Sequence, residues 1–284
     1  MAAGAGRVSP VVRAAVLGRP IAHSLSPVLH RAAFAALGLE DSEYGRAEVG
    51  DEDLAAFLDA HPAETGFSLT MPLKERLVAL ARERGWDLDE TAEATGVANT
   101  LVRFPNATTV ANTDVDGIVG AIRLRPGSGT RATILGAGAT ARSALLALVR
   151  LGITEVDLLV RSASRAAAAA ELGTRLGLAV EIGGLETIRS SAVVVSTLPA
   201  EAAPTLTWEP GSGVALDVAY AAESAVLTGA SAHGYTAVPG TAMLVEQAVA
   251  QAVLFLTAAA GTPPSPAQVE AIAASMHAAL PERD

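Results

Sequence analysis

Residues 131–152, RATILGAGATARSALLALVRLG, constrain the fold more than any other stretch of the 284-residue chain. An apolar run of strand length, 131–135, enters a glycine turn and leaves it as an apolar helix, 141–151. Gly136 suits the tight turn, Gly138 lets backbone approach a pyrophosphate, and Ala141 is small enough for close helix–sheet packing. Unpaired N–H groups at the helix start favour an anion there. A strand before and a helix after the glycines point to a dinucleotide site, the alternative being a glycine turn that serves packing only.

The next strand, 156–160, runs into VRSASR rather than into the acidic residue that commonly grips the ribose hydroxyls of NAD. Arg161 and Arg165 can pair with a 2′-phosphate and Ser162 can donate to it, which favours NADP. Solvation of a helix entrance by the two arginines is the other reading of this loop.

Around that unit, strands and helices alternate along the whole chain. Strands are expected at 11–18, 44–49 and 66–70, and extended segments at 97–104 and 109–111. Helices are expected at 26–38, 51–60 and 73–84. Ser26 is expected to cap the first helix with Pro27 in its first turn and Gly38 as its stop. Asp114 begins a crossing helix carrying Val115, Ile118, Val119 and Ile122, and the RPGSG stretch at 125–129 ends it. A helix at 164–176 and strands at 192–196 and 214–218 continue a doubly wound sheet. Helices at 241–260 and 266–280, the latter with Val269, Ile272 and Met276 on one face, are expected to return and cover the first half. The fold class is therefore α/β. An N-terminal α/β substrate domain, 11–113 with 241–284, joins a doubly wound Rossmann-type dinucleotide-binding domain, 114–240.

Composition excludes several classes. A formal charge of -10 argues against a general nucleic-acid binder, which needs a positive footprint. The absence of cysteine excludes a disulfide scaffold and any cysteine-ligated metal, and His23, His30, His61 and His233 lack metal spacing, so no metal is expected. The most membrane-like segment, 245–261, is interrupted by Glu246, Gln247 and Gln251 and reads as a helix packed against protein. The N-terminus lacks a signal-cleavage pattern, and a cytoplasmic enzyme with no membrane partner fits. Monomer and homodimer are both compatible with the sequence.

Four short polar segments flank the predicted strand ends: HSLSP at 23–27, SLTMPLK at 68–74, GVANT at 96–100 and ANTDVDG at 111–117. Their hydroxyl and amide groups suit a small polar ligand that bears a carboxylate. Lys74 and Asp114 form the best chemical pair. During carbonyl reduction the oxygen gains negative charge, and a nearby ammonium can stabilise or protonate it while a carboxylate orients the ammonium. An exposed helix charge for Lys74 and a helix cap for Asp114 are the structural alternatives, as loop-building roles are for His23, Ser24, Ser26, Asn99 and Asn112.

The ordered set GRPIAHSLSP, SLTMPLK, GVANTL, ANTDVDG, GAGATA, VRSASR and PGTAMLVEQA resembles the shikimate dehydrogenase family over nearly the whole chain, from Val11 to about Gly261. The resemblance implies a two-domain enzyme interconverting 3-dehydroshikimate and shikimate with NADP(H), in the pathway supplying aromatic amino acids. It implies that Ser24 and Ser26 hold the substrate carboxylate and that Thr70, Asn99 and Asp114 contact the ring hydroxyls. Lys74 and Asp114 would be catalytic, with Tyr220 and Gln247 completing the substrate contacts. On the cofactor side it implies Gly136, Gly138, Ala139, Arg161, Ser162 and Arg165, with Gly240 and Met243 near the nicotinamide. Ser68 and Leu69 stand where the family usually has asparagine and valine, Val160 where it often has asparagine, and the segment after Tyr220 lacks a frequent proline and threonine. Quinate or aminoshikimate dehydrogenase is the same-class alternative, and a noncatalytic NADP-binding regulatory protein the alternative of another class.

Overall fold

Alternating apolar strands and helices assemble into two six-stranded sheets in a computed structural model that describes residues 9–123, 129–199, 205–220 and 223–281. The first sheet contains β1 (Arg13–Gly18), β2 (Glu43–Glu48), β3 (Gly66–Leu69), β4 (Asp87–Leu88), β5 (Thr100–Phe104) and β6 (Ala107–Ala111), in the order β2-β1-β3-β5-β6-β4. β1 pairs in parallel with β2 and β3, whereas β5 runs antiparallel to β3 and β6. Helices α1 (Ser26–Ala36), α2 (Leu54–Ala60), α3 (Lys74–Arg84) and α4 (Glu90–Thr95) connect these strands.

Ser26 does not cap α1. Leu25 occupies the cap position with no side-chain cap bond, and Ser26 is the first helical residue, with Pro27 in the first turn as expected. The Ser24 hydroxyl accepts the Ser26 N–H at 3.4 Å, so the cap-like contact comes from two residues upstream. Gly38, at φ +67°, ends the helix in the left-handed conformation that glycine adopts without strain. The short elements β4 and α4 carry no apolar period, yet Asp89 caps α4 by accepting the Ala92 N–H at 2.6 Å.

Helix α5 (Asp114–Arg123) then crosses to the second sheet with Val115, Ile118, Val119 and Ile122 all buried. The expected stop at 125–129 falls on residues 124–128, outside the described residues, except for Gly129. Next come β7 (Arg131–Leu135), α6 (Ala139–Arg150), β8 (Glu155–Leu159), α7 (Ala163–Arg175), β9 (Ala179–Gly183), β10 (Thr187–Ile188), β11 (Val193–Ser196), β12 (Thr207–Trp208), β13 (Val214–Asp217), α8 (Ala225–Ala232) and β14 (Thr236–Pro239). β10 and β12 form a separate two-stranded ladder. The other six strands are all parallel, in the order β9-β8-β7-β11-β13-β14, so the winding reverses between β7 and β11. Counted from β7 this is the 3-2-1-4-5-6 order of a dinucleotide-binding fold, with the ligand crevice at the reversal.

The chain closes with α9 (Gly240–Ala260) and α10 (Pro266–Ala278). Val245, Ala248, Phe255, Ile272 and Met276 share a core with Val12, Leu29 and Phe34, so the terminal pair covers the first sheet. By length and mean hydropathy, 1.6 over its most apolar window, α9 matches a membrane span, but these side chains are packed inside the protein. Two residues before Val245, Met243 belongs to a core of the second sheet, with Ile118 and Leu216. Helix α9 therefore joins a core of each sheet.

The crossing of α5 on α9 depends on two glycines. A Cβ at Gly117 would lie 2.9 Å from both the Gln247 Cβ and the Met243 carbonyl oxygen, and one at Gly120 would lie 2.8 Å from the Glu246 side chain. Contact with backbone cannot be relieved by a rotamer change. Gly117→Val is expected to lower the unfolding free energy by about 1–3 kcal/mol through overpacking, read as a lower urea midpoint at unchanged slope.

Candidate active site

Between the two sheets lies a cavity of about 420 Å³. It is lined from the first sheet by Ser24 and Ser26 before and at the start of α1, Thr70 after β3, Lys74 at the start of α3, and Asn99 before β5. Asp114, at the start of α5, and Tyr220, after β13, close it from the second. Gly240, Met243 and Gln247, on the first two turns of α9, form its back wall. All eight residues expected to meet substrate thus line one space, together with two of the residues expected near the nicotinamide.

The Lys74 Nζ donates to Asp114 Oδ2 at 2.5 Å and to Thr140 Oγ1 at 3.3 Å. Their side chains are 13% and 6% exposed, which excludes a surface charge for Lys74 and a solvated cap for Asp114. Burying two charges is favourable only where geometry and further hydrogen bonds offset desolvation. The second carboxylate oxygen meets that demand, with Asp114 Oδ1 accepting from Asn99 Nδ2 at 2.8 Å.

The amide of Asn99 is oriented by donors on its other side. Its Oδ1 accepts the Thr113 N–H at 2.9 Å and the Thr100 hydroxyl at 2.8 Å. A backbone N–H can only donate, so Oδ1 must face it and the amide nitrogen must face Asp114. Thr100 Oγ1 in turn accepts from Gln251 Nε2 at 3.1 Å, which turns Gln251 Oε1 toward Ser68 and His30. Ser68 donates to Gln251 Oε1 at 2.7 Å and accepts from the Tyr44 hydroxyl at 2.6 Å. The floor of the cavity is therefore a connected buried network, and Ser68 is one of its members.

Gln251, Ser68, Thr140 and Tyr44 were not among the expected site residues. Gln251 follows Gln247 by four positions and shares its helix face, a spacing visible in the sequence. Tyr44 and His30 carry no such signal, because only the fold stacks their rings, with centroids 4.0 Å apart. Asn112 lies outside the cavity and bonds Thr95 and Ser143, each at 3.0 Å. Burial pushes the Tyr220 phenol up, opposed by a hydrogen bond with the Leu25 backbone that links β13's loop to the entrance of α1.

At the β7–α6 turn, Gly136 has φ +101°, and a Cβ there would lie 2.5 Å from Thr197 Oγ1. Gly138 precedes α6, and nothing lies within 4 Å of where its Cβ would stand, so backbone is open to an approaching group. Ala139 is the first helical residue, two positions earlier than the apolar pattern indicated. Ala141 is fully buried against the sheet. Arg161, Ser162 and Arg165 sit at the end of β8 and the start of α7, away from the cavity, with both arginines exposed and in no ion pair among the described residues. A buried Ser196 hydroxyl at the β7–β11 reversal has no partner among the described residues. An open glycine turn, a helix start and two free guanidiniums past β8 fit a phosphorylated dinucleotide. Among the described residues no group of three or more acidic or imidazole side chains is placed to hold a metal.

The profile of the shikimate dehydrogenase substrate binding domain matches residues 16–101. The shikimate dehydrogenase (NADP(+)) of Rubrobacter xylanophilus is 34% identical over 253 residues, 82% of this chain and 87% of that protein. The crystal structure of Mycobacterium tuberculosis shikimate dehydrogenase superposes with a TM-score of 0.77 at 34% identity, covering 94% of this chain and 99% of that one. That of the Thermus thermophilus shikimate 5-dehydrogenase in complex with NADP(H) and shikimate gives 0.72 at 30% identity, covering 95% and 100%.

His30 gives the site a pH-dependent foundation. Full burial pushes its imidazole pKa down to about 3 from the ordinary 6.5, against the hydrogen bond with Gln251. Between those values the unfolded chain binds a proton that the folded chain refuses, so His30's contribution is complete above about pH 6.5 and falls as pH drops toward 3. The urea-unfolding free energy is expected to decline by up to ~1.4 kcal/mol per pH unit below 6.5, and His30→Gln to remove that part of the slope.

Proposed function

The chain belongs to the shikimate dehydrogenase family, and from that premise we propose that it reversibly reduces 3-dehydroshikimate to shikimate with NADPH. The observation carrying this reading is the Lys74–Asp114 pair, 2.5 Å apart and held by Asn99, in a cavity whose far wall is Gly240 and Met243. NADPH, when bound along the β7–α6 turn, supplies the hydride that reaches the substrate carbonyl carbon.

The residues of this chain supply the rest. Two of the three ammonium N–H groups of Lys74 are directed to Asp114 and Thr140, leaving the third for a ligand oxygen. As negative charge develops on the carbonyl oxygen, Lys74 stabilises it and passes it a proton, while Asp114 keeps the ammonium aligned. In the oxidative direction the neutral amine takes the hydroxyl proton back. The Ser24 and Ser26 hydroxyls, with Tyr220 across the cleft, suit the carboxylate. Thr70, Asn99 and Gln247 suit the ring hydroxyls. Gly136, Gly138 and Ala139 would receive the pyrophosphate, and Arg161, Ser162 and Arg165 the 2′-phosphate.

In this reading residues 11–113 with 241–284 form the substrate domain and 114–240 the cofactor domain. Placement of the α5 side chains and Leu216 in one core and Val12 and Phe255 in another supports that division. We place the enzyme in the cytoplasm, where its cofactor and the aromatic amino-acid pathway reside.

Lys74→Ala is expected to keep the NADP+ dissociation constant within about threefold while reducing hydride-transfer rate by ~10²–10⁴-fold, as measured by stopped-flow absorbance of NADPH. Full turnover in that variant overturns the pair's assignment. Replacing Arg161 and Arg165 by alanine is expected to weaken NADP+ binding about tenfold or more while leaving NAD+ binding nearly unchanged. Equal loss of both cofactors indicates a collapsed loop instead. The same assay with shikimate, quinate and aminoshikimate tests the ring preference, and shikimate is expected to give the highest kcat/KM.

A further inference from the structure

We propose that Thr140 is a positioning residue that ties Lys74 to the dinucleotide turn, so that occupancy of the turn and alignment of the lysine are energetically linked. The inference rests on the assignment of Lys74 and Asp114 given above. Thr140 is the second residue of α6, two positions after Gly138, so its hydroxyl belongs to the turn whose N–H groups have no intrahelical partners. It accepts a hydrogen bond from Lys74 Nζ at 3.3 Å and lines the same cavity.

A threonine hydroxyl accepts and donates at once. Its oxygen serves Lys74, and among the described residues no protein acceptor takes its own hydrogen, which leaves that hydrogen for a phosphate oxygen at the helix start. The remainder of the same helix start grips the chain beside both members of the pair. Ser143 bonds Asn112, two residues before Asp114, at 3.0 Å with both side chains buried. Arg142 pairs with Glu75, next to Lys74, at 3.2 Å. An anion that draws the first turn of α6 into a single arrangement therefore also arranges Lys74. By reciprocity, a substrate oxygen that engages Lys74 favours the same arrangement of the turn. Alanine at this position would satisfy the helix equally well and break the link.

The test uses Thr140→Val, which keeps the shape without the hydroxyl, and Thr140→Ser, which restores the hydroxyl. NADPH and shikimate dissociation constants are measured by calorimetry, each alone and with the other present, since these two reduced partners cannot react, and the rate of NADPH formation is measured in a single turnover at saturating NADP+. The parent is expected to show a coupling factor of at least about fivefold, falling to near one in Thr140→Val, with a single-turnover rate about tenfold lower. Thr140→Ser is expected to recover both. A parental rate or a parental coupling factor in Thr140→Val overturns the proposal, as does a failure of serine to recover them. Weaker NADPH binding with coupling intact would reduce Thr140 to a phosphate contact. Full turnover by Lys74→Ala would instead remove the underlying assignment, whatever the threonine variants show.

Discussion

The close crossing of α5 on α9 sets the geometry on which everything else rests. Gly117 lets the two helices approach to a distance that a side chain there would prevent, and Gly120 leaves room for the Glu246 side chain. Asp114 projects from the start of one helix and Gln247 from the second turn of the other, so the same contact that joins the sheets also brings the carboxylate to the back wall of the cavity. Gly240 repeats the device at the head of α9, where a Cβ would stand 2.6 Å from the Val218 carbonyl oxygen. The missing side chains at Gly117 and Gly240 thus determine how near the second sheet comes to the first sheet's polar loops.

Inside that frame, two backbone groups determine the direction of every hydrogen bond in the cavity floor. The Thr113 N–H turns the amide of Asn99, and the Asn99 carbonyl, accepting from Gln251 Nε2 at 3.4 Å, turns the amide of Gln251. From those anchors the donors of Thr100, Ser68 and Tyr44 follow in one sense only. Asp114 consequently meets donors on both oxygens. Such a network is stabilising only when complete, because a single unmatched member at this depth costs about 1–3 kcal/mol.

Much of this was legible in the sequence, and the legible part has a physical signature. Strands β1, β3, β7, β8, β11 and β13 are buried on both faces and read as short apolar runs, and α5, α6 and α9 carry their apolar residues at helical spacing. The edge strands β9 and β14 are partly exposed, lack that contrast, and escaped notice, as did α8 and the brief β4–α4 excursion. Within the site, residues in polar loops between apolar elements stood out: Ser24, Thr70, Lys74, Asn99 and Asp114. Ser68 and Thr100 fall inside the polar segments at 68–74 and 96–100, whereas Tyr44 lies within a strand, where a polar side chain looks like an ordinary outward-facing residue until the fold shows it pointing into a buried network. The role expected of Ser26 as a helix cap failed for a local reason, since Leu25 occupies the cap position and Ser26 is already the first helical residue.

The core of the first sheet is assembled from opposite ends of the chain, with Val12, Leu29 and Phe34 sealed by Phe255, Ile272 and Met276. A ribosome releases the former group early and the latter last, after an entire second sheet has been made. The nascent protein therefore carries an uncovered oily surface through most of its synthesis, the kind of surface that makes partly made chains prone to aggregate. Translation that halts between β14 and α10 leaves a product with a finished second sheet and an open, sticky first one.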